Sequence, residues 1–237
     1  SNIKEIKSGF CKETYRFKKI EIIRNGAENI KFIDDKILVG KSDVTSDIFD
    51  VVLFASRDIY DVFIPSFIKR IGSFAFSWCK NLQSFEFEEN SQLISIGESA
   101  FSDSIISHLT IPKGVTEIKK ATFWWCRNLD SIDFQDNSEL LSIENNAFTF
   151  STIKSLSIPS KVKNLEDGWC INTPELICVY LSKENKNFKY LENSDDKIII
   201  GKSNGDDFDS IFFACKNIRS ATIPSFIKNI NSHSFFG

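Results

Sequence analysis

The stretch VFIPSFIKRIGSFAFSWCKNLQSFEFEENSQLISIGESAF, from Val62 to Phe101, is followed by LTIPKGVTEIKKATFWWCRNLDSIDFQDNSELLSIENNAF, from Leu109 to Phe148, and the two match almost position for position. Ile-Pro pairs anchor the alignment. Ile64-Pro65, Ile111-Pro112 and Ile158-Pro159 stand 47 residues apart, and Ile223-Pro224 follows later. Each block divides again, because a second apolar alternation, Phe85-x-Phe87 and Ile132-x-Phe134, falls midway. From Ile64 the steps to Phe87, Ile111, Phe134, Ile158 and Leu181 are 23, 24, 23, 24 and 23 residues. A fixed short period of this kind marks a stacked array, in which no unit buries its apolar face without a neighbour.

Two intervals are longer: Ile22 to Ile64 and Leu181 to Ile223 each span 42 residues. The excess of about 18 is a repeated insertion, near 30–58 and 188–217, because the inserted texts match. Asp34-Asp35-Lys36-Ile37-Leu38-Val39-Gly40-Lys41-Ser42 answers to Asp195-Asp196-Lys197-Ile198-Ile199-Ile200-Gly201-Lys202-Ser203, Phe54-Ala55 answers to Phe213-Ala214, and IPSFIK recurs verbatim at Ile64 and Ile223. The whole chain, 1–237, therefore reads as one solenoid of seven complete units and two partial ones. Ile3 to Ile6 resembles Val115 to Ile118, and Phe235-Phe236 falls near the Ala75-Phe76 position, so both ends lie inside a unit. With no polar cap in the text and no Met, the expectation is a processed product or a fragment of a longer protein.

The unit of 23–24 residues lies within the range of leucine-rich repeats, about 20–29. Its period-two alternation predicts a short strand with one buried face, and units that follow without a reversing hairpin predict parallel stacking. Pro after Ile111 or Ile158 removes a donor, as suits a strand end. The V-x-x-I pairs (Val115, Ile118; Val162, Leu165) and the Ala-Phe steps predict a short helical or irregular turn that brings the chain back to the core. Phe76, Phe101, Phe123 and Phe148 are expected to stack as a ladder, each ring pair contributing roughly 0.5–1.5 kcal/mol beyond burial. The insertions read as protruding hairpins.

Composition limits the functions. The 237 residues are 42% hydrophobic and 26% charged, with 23 Phe and a formal net charge of −3; that balance lacks the basic footprint of a nucleic-acid binder. No apolar run approaches the ~20 residues that span a bilayer, and no signal-peptide core is present. The six cysteines form no CxxC pair, against a zinc ribbon. Cys79 and Cys126, two units apart, are expected about 9.6 Å from each other, beyond disulfide reach, and read as small buried hydrophobes. Cys170 and Cys178, flanking Pro174, are the one pair open to bridging. His108 and His233 have no local triad partners. The acidic groups Asp43, Asp47, Asp50 and Asp206, Asp207, Asp209 lack EF-hand spacing, so calcium is the lesser reading beside solvated loop carboxylates. Gly40-Lys41-Ser42 lacks the upstream Gly of a P-loop. No catalytic residue, metal or cofactor is expected, and an enzyme is the least favoured class.

The outward strand positions are more informative. They run Glu21, Phe63, Glu86, Thr110, Asp133, Ser157, Tyr180 and Thr222, a mixed, mildly acidic face with two exposed aromatics beside the insertion-bearing units. Phe63, Glu86, Thr110, Asp133, Ser157 and Tyr180 are the candidate protein-binding residues, with aromatics as anchors; the competing reading is an ordinary solvated sheet face.

The pattern I-P-x-x-V/I-x-x-I-x-x-x-x-F-x-x-C-x-N-L-x-x-I/F-x-F, followed by S-x-L-x-S-I-x-x-x-A-F, resembles the BspA-like leucine-rich repeat family over nearly the whole chain. The resemblance implies a right-handed curved solenoid at the cell surface or outside the cell, used in adhesion and in binding other proteins, with no catalytic residues to carry over. The chain departs from the pattern at Trp169-Cys170, where Ala-Phe is expected. The alternative is an intracellular scaffold, toward which unpaired thiols and the lack of an N-x-S/T sequon lean. Association of two chains through exposed end units is a further expectation.

Overall fold

The computed structural model describes residues 5–12, 14, 16–21, 28–195, 197–203 and 205–235; Ile3, Ile22, Asp196 and Phe236 of the repeat alignment lie outside the described residues. The first insertion forms β1 (Ile30–Ile33), β2 (Ile37–Gly40) and β3 (Val51–Ala55). Long and short strands then alternate: β4 (Asp61–Ile64), β5 (Arg70–Ile71), β6 (Ser84–Phe87), β7 (Ser95–Ile96), β8 (His108–Ile111), β9 (Glu117–Ile118), β10 (Ser131–Phe134), β11 (Ser142–Ile143), β12 (Ser155–Ile158), β13 (Asn164–Leu165) and β14 (Cys178–Leu181). The second insertion supplies β15 (Phe188–Tyr190), β16 (Ile198–Lys202) and β17 (Phe208–Ala214), and β18 (Asn229–Ile230) follows.

The four-residue strands β4 to β14 stack in parallel along one side, with pairing interrupted between β6 and β8. Their alternation does what the sequence period requires: Val62 and Ile64, Leu109 and Ile111, Leu156 and Ile158 point inward and are buried, while the residues between them face out. The V-x-x-I segments, expected as helical or irregular turns, form a second parallel sheet, β5–β7–β9–β11–β13. No helix occurs among the described residues. The reason lies in the Ala-Phe turns, where a left-handed residue recurs at two places in each coil. Phe74 and Trp78, Ser99 and Asp103, Ala121 and Trp125, Asn146 and Phe150 all have φ between 54° and 62°. Left-handed residues this frequent end any helical run and turn the N–H groups toward the next coil. Phe76, Trp78, Phe101 and Asp103 donate to the carbonyls of Ala100, Ser102, Thr122 and Trp124 at 2.7–3.0 Å.

The phenylalanine ladder runs down the core of this third side. Phe76, Phe101, Phe123 and Phe148 are fully buried, with successive centroids 5.4, 5.5 and 5.4 Å apart and planes within 13° of parallel. Trp169, where the pattern departs, turns its ring edge-on to Phe148 at 6.2 Å and meets Phe213 at 5.6 Å. The substitution therefore joins the ladder to the second insertion.

The insertions are built from hairpins, but they lie in the sheet rather than standing off it. β1–β2–β3 is an antiparallel meander whose last strand pairs in parallel with β5 (Val51 with Arg70, Val52 with Ile71). The second insertion repeats this, with β17 parallel to β18 (Ser210 with Asn229, Ile211 with Ile230). The verbatim texts now have a cause. The Asp50 carboxylate accepts from the backbone N–H and hydroxyl of Ser42 at 2.8 and 2.7 Å, and the Asp209 carboxylate from those of Ser203 at 3.2 and 2.7 Å. The lysine of each IPSFIK segment closes the motif: Lys69 and Lys228 donate their backbone N–H to the carbonyls of Asp50 and Asp209, at 2.8 Å each, and bring their ammonium groups to 3.9 and 3.3 Å of those carboxylates. Replacing Asp50 by alanine removes two hydrogen bonds to a buried carboxylate, and a loss of about 1–3 kcal/mol in urea unfolding is expected.

The Ser203 hydroxyl, with further donation from the Ser203 N–H, Lys228 and Ser210, holds the Asp209 carboxyl down to about 2. A depressed carboxyl adds stability above its unfolded value, ~3.9, and that stability is lost as the pH falls through the folded value. The gap in Tm between the unsubstituted chain and Asp209→Asn is thus expected to be full at neutral pH and to close between about pH 4 and 2.

Candidate protein-binding face

The structure places all six candidate residues outward on the long strands. Phe63 is 53% and Tyr180 56% exposed, although Val62, Ile64 and Val179 beside them are buried. Thr110, Asp133, Ser157 and Tyr180 share one groove of about 770 Å³, with Pro159, Ser182 and Glu184 at its rim. Phe63 and Glu86 are in register with each other on the β4–β6 pair, beyond the break in pairing. The ladder of hydrogen bonds along this face is interrupted between β6 and β8, although the two strands remain in contact. Glu21 and Thr222 are exposed, but neither lies in a strand.

The chemistry of this face is hydrogen bonding and weak charge. His108 shares hydrogen bonds with the Ser131 hydroxyl at 2.8 Å and the Thr110 hydroxyl at 3.3 Å, and stands 3.9 Å from the Asp133 carboxylate. Both ring nitrogens are thus engaged within the face. Lys36 of the first insertion bonds the Asp61 carboxylate at 2.6 Å, tying that insertion to the edge of β4. Among the described residues, no group of three or more His, Cys, Asp or Glu is placed to hold a metal. Asp50 and Asp209, the innermost of the two acidic clusters, are instead taken up by their serines and lysines.

All six cysteines are free, so Cys170 and Cys178 do not bridge. Cys79 and Cys126 are fully buried, and burial pushes their thiols up to about 11 and about 12; burial raises Cys170 as well. Groups that remain thiols at neutral pH are poor nucleophiles, in keeping with their reading as core hydrophobes. Buried Arg57, at the end of the first insertion, donates to the carbonyls of Ala75 and Phe74 at 2.8 and 3.2 Å and lies 4.5 Å over the Phe54 ring. It fastens that insertion to the first Ala-Phe turn.

Sequence reading missed a second surface, on the turn side, built from Trp78, Trp124, Trp125 and Phe150. The signal was present in the aligned text, since Trp78 and Trp125 each precede the repeat cysteine. It was absorbed into the repeat pattern because the left-handed turn that pushes these rings outward has no signature in the apolar period.

Comparison with solved structures gives the same architecture. The crystal structure of pneumococcal vaccine antigen PcpA matches with a TM-score of 0.67 and 24% identity, over 79% of this chain and 44% of that one. A leucine-rich cell surface protein from Faecalibacterium prausnitzii A2-165 matches with a TM-score of 0.56 and 22% identity, over 75% of this chain and 52% of that one. The chain thus spans about half the length of these structures. Among curated proteins, none matches the sequence. The model of the BspA type leucine rich repeat region matches in six copies over residues 48–177 and 180–237, most of the chain, and with strands, turns and period already in agreement the chain belongs to the BspA-type leucine-rich repeat family.

Proposed function

We propose that this chain is a protein-recognition module displayed at the cell surface, and that it binds through the outward face of the long strands. The observation that carries the reading is the pair Phe63 and Tyr180. Each keeps more than half its surface in solvent on a strand whose neighbouring positions are core, and exposed aromatics on a rigid scaffold are favoured anchors in protein interfaces. Each lies on the long strand next in the chain to an insertion, β1–β3 before β4 and β15–β17 after β14. An array of stacked coils offers an extended surface rather than a deep reaction pocket, which favours binding over catalysis. Of the two solved structures, one is a vaccine antigen and the other a cell surface protein, which leans toward an exterior location. The six free thiols favour the second reading, an intracellular scaffold that uses the same face, because an oxidising compartment disfavours unpaired cysteines.

The test is retention of surface proteins, biotinylated on intact cells, by the immobilised chain and by its Phe63→Ala/Tyr180→Ala variant. A retained set that falls at least tenfold in the variant is expected, about 1.4 kcal/mol or more. Equal retention by both forms removes the assignment to this face.

A further inference from the structure

The groove on the long-strand face carries charge of one sign. The outward positions of the long strands, the first and third residue of each, include Asp61, Glu86 and Asp133 but neither lysine nor arginine. Asp61 is taken up by Lys36 at 2.6 Å. The group within ion-pair distance of the Asp133 carboxylate is the His108 ring, at 3.9 Å, which is already shared with the Ser131 and Thr110 hydroxyls. Asp133 and Glu184 both line the groove of about 770 Å³, and no Lys, Arg or His is among the described residues that line it. Lys154 and Lys161, on the same coils, are used elsewhere: they pair with Asp130 at 2.7 Å and Glu139 at 2.6 Å. Lys113 and Lys183, close by in sequence, do not line the groove.

The strand register gives the groove its shape. Asp133 and Tyr180 face out from β10 and β14, two strands apart, or about 9.6 Å at ~4.8 Å per strand. Between them β12 presents Ser157, in register with Tyr180. A small residue between two larger ones leaves a notch, with the tyrosine ring on one side, a carboxylate on the other and hydroxyls of Ser157 and Thr110 along the floor. Glu184 follows β14 at the rim.

This set of groups selects among side chains. An acidic side chain meets like charge, which disfavours a wrong partner strongly. A neutral one covers the carboxylates without pairing them, at the expense of their hydration. Lysine brings a point charge with no plane to lay on the ring. Arginine brings a planar cation that stacks on aromatic faces and a fork of N–H donors that fits a carboxylate. The same combination recurs at the other end of the face, where Glu86 is in register with the exposed Phe63. We propose, resting on the long-strand face as the binding surface, that this groove receives an arginine side chain of a partner protein, stacked on Tyr180 and paired with Asp133, with Glu184 adding charge at the rim.

The experiment is an NMR titration of the isotope-labelled chain with the peptide acetyl-Gly-Ser-Arg-Ser-Gly-amide. Control peptides carry lysine, citrulline or glutamate in place of arginine; citrulline keeps the shape of arginine without its charge. Amide shifts centred on Asp133, Ser157 and Tyr180, saturating at millimolar arginine peptide, are expected. Binding should weaken about tenfold or more with the citrulline peptide and in Asp133→Asn/Glu184→Gln. It should also weaken as sodium chloride rises from about 0.05 to about 0.5 M, because the pair lies at the surface. Asp206→Asn/Asp207→Asn removes the same formal charge from the second insertion and should bind as the parent does. Both groove carboxylates are exposed, so Asp133→Asn/Glu184→Gln should keep the parent Tm and the loss is not one of folding. No saturable shift at millimolar peptide, shifts centred elsewhere, equal binding of the lysine or citrulline peptide, or an equal loss in Asp206→Asn/Asp207→Asn would each overturn the proposal. Retention of biotinylated surface proteins separates this failure from failure of the face. A retained set lost in Phe63→Ala/Tyr180→Ala but kept by Asp133→Asn/Glu184→Gln strikes the arginine assignment and leaves the face; a set kept by both variants strikes both.

Discussion

Phe123→Ala is expected to lower the unfolding free energy by about 3–5 kcal/mol, the range for truncating a buried phenylalanine. Phe123 is fully buried and sits in the middle of the ladder, 5.5 Å from Phe101 and 5.4 Å from Phe148. Removing it leaves a cavity and also deprives both neighbouring rings of a stacking partner. The backbone resists collapse into that cavity, because the N–H groups of Phe101 and Phe123 are fixed to the carbonyls of Thr122 and Ala147 at 3.0 and 2.8 Å. In a stacked array each coil is stabilised by its nearest neighbours, so a central defect weakens coupling on both sides. A fall in Tm on the order of 10 °C follows for a chain of this size, by calorimetry or urea unfolding. Phe150→Ala, at an exposed turn two residues beyond the buried Phe148, is the contrast, expected to change stability by less than about 1 kcal/mol. Similar losses from both would mean that the ladder does not hold the coils together.

The second large effect is expected from a single methyl group. A Cβ added at Gly97 would stand 2.4 Å from the backbone nitrogen of Ser73 and 2.7 Å from the carbonyl carbon of Gly72. Backbone of the neighbouring coil cannot move aside as a side chain can. The coils must separate there, at the expense of the hydrogen bonds from Gly97 N–H to the Ile71 carbonyl, 2.8 Å, and from Phe74 N–H to the Glu98 carbonyl, 3.0 Å. Overpacking of this kind costs about 1–3 kcal/mol, and each weakened bond adds about 1, so a loss of about 3 kcal/mol is expected for Gly97→Ala in urea unfolding. Lys119 and Glu144 occupy the equivalent place in later coils, so the close approach is local to the first two. A variant as stable as the parent would show that the coils at β5 and β7 are not in such close contact.

The period of the chain was legible in the Ile-Pro spacing, and the phenylalanine ladder followed from it, because stacking copies of one unit puts like residues on like residues. The six outward positions were legible too, since a period of two assigns faces. The second sheet was not. Two-residue strands such as β9 and β13 are too short for a period, and they exist only because a neighbouring coil supplies partners for them. The placement of the insertions was half legible: their matching text revealed two copies of one device, but the serine–aspartate–lysine closure joins residues on different strands, as Asp209 joins Ser203 and Lys228. The turn-side surface was hidden for a related reason. Trp78 and Trp125 fall at positions that the repeat pattern leaves open, and the positive φ of each is not visible in that pattern.

Where the chain is displayed bears most directly on the surface-recognition reading. Labelling of intact source cells with an antibody to this region, with permeabilised cells as control, tests it. Signal on intact cells is predicted, placing the Phe63 and Tyr180 face in contact with the exterior. Signal that appears only after permeabilisation would contradict the surface-recognition reading and leave the intracellular scaffold in its place.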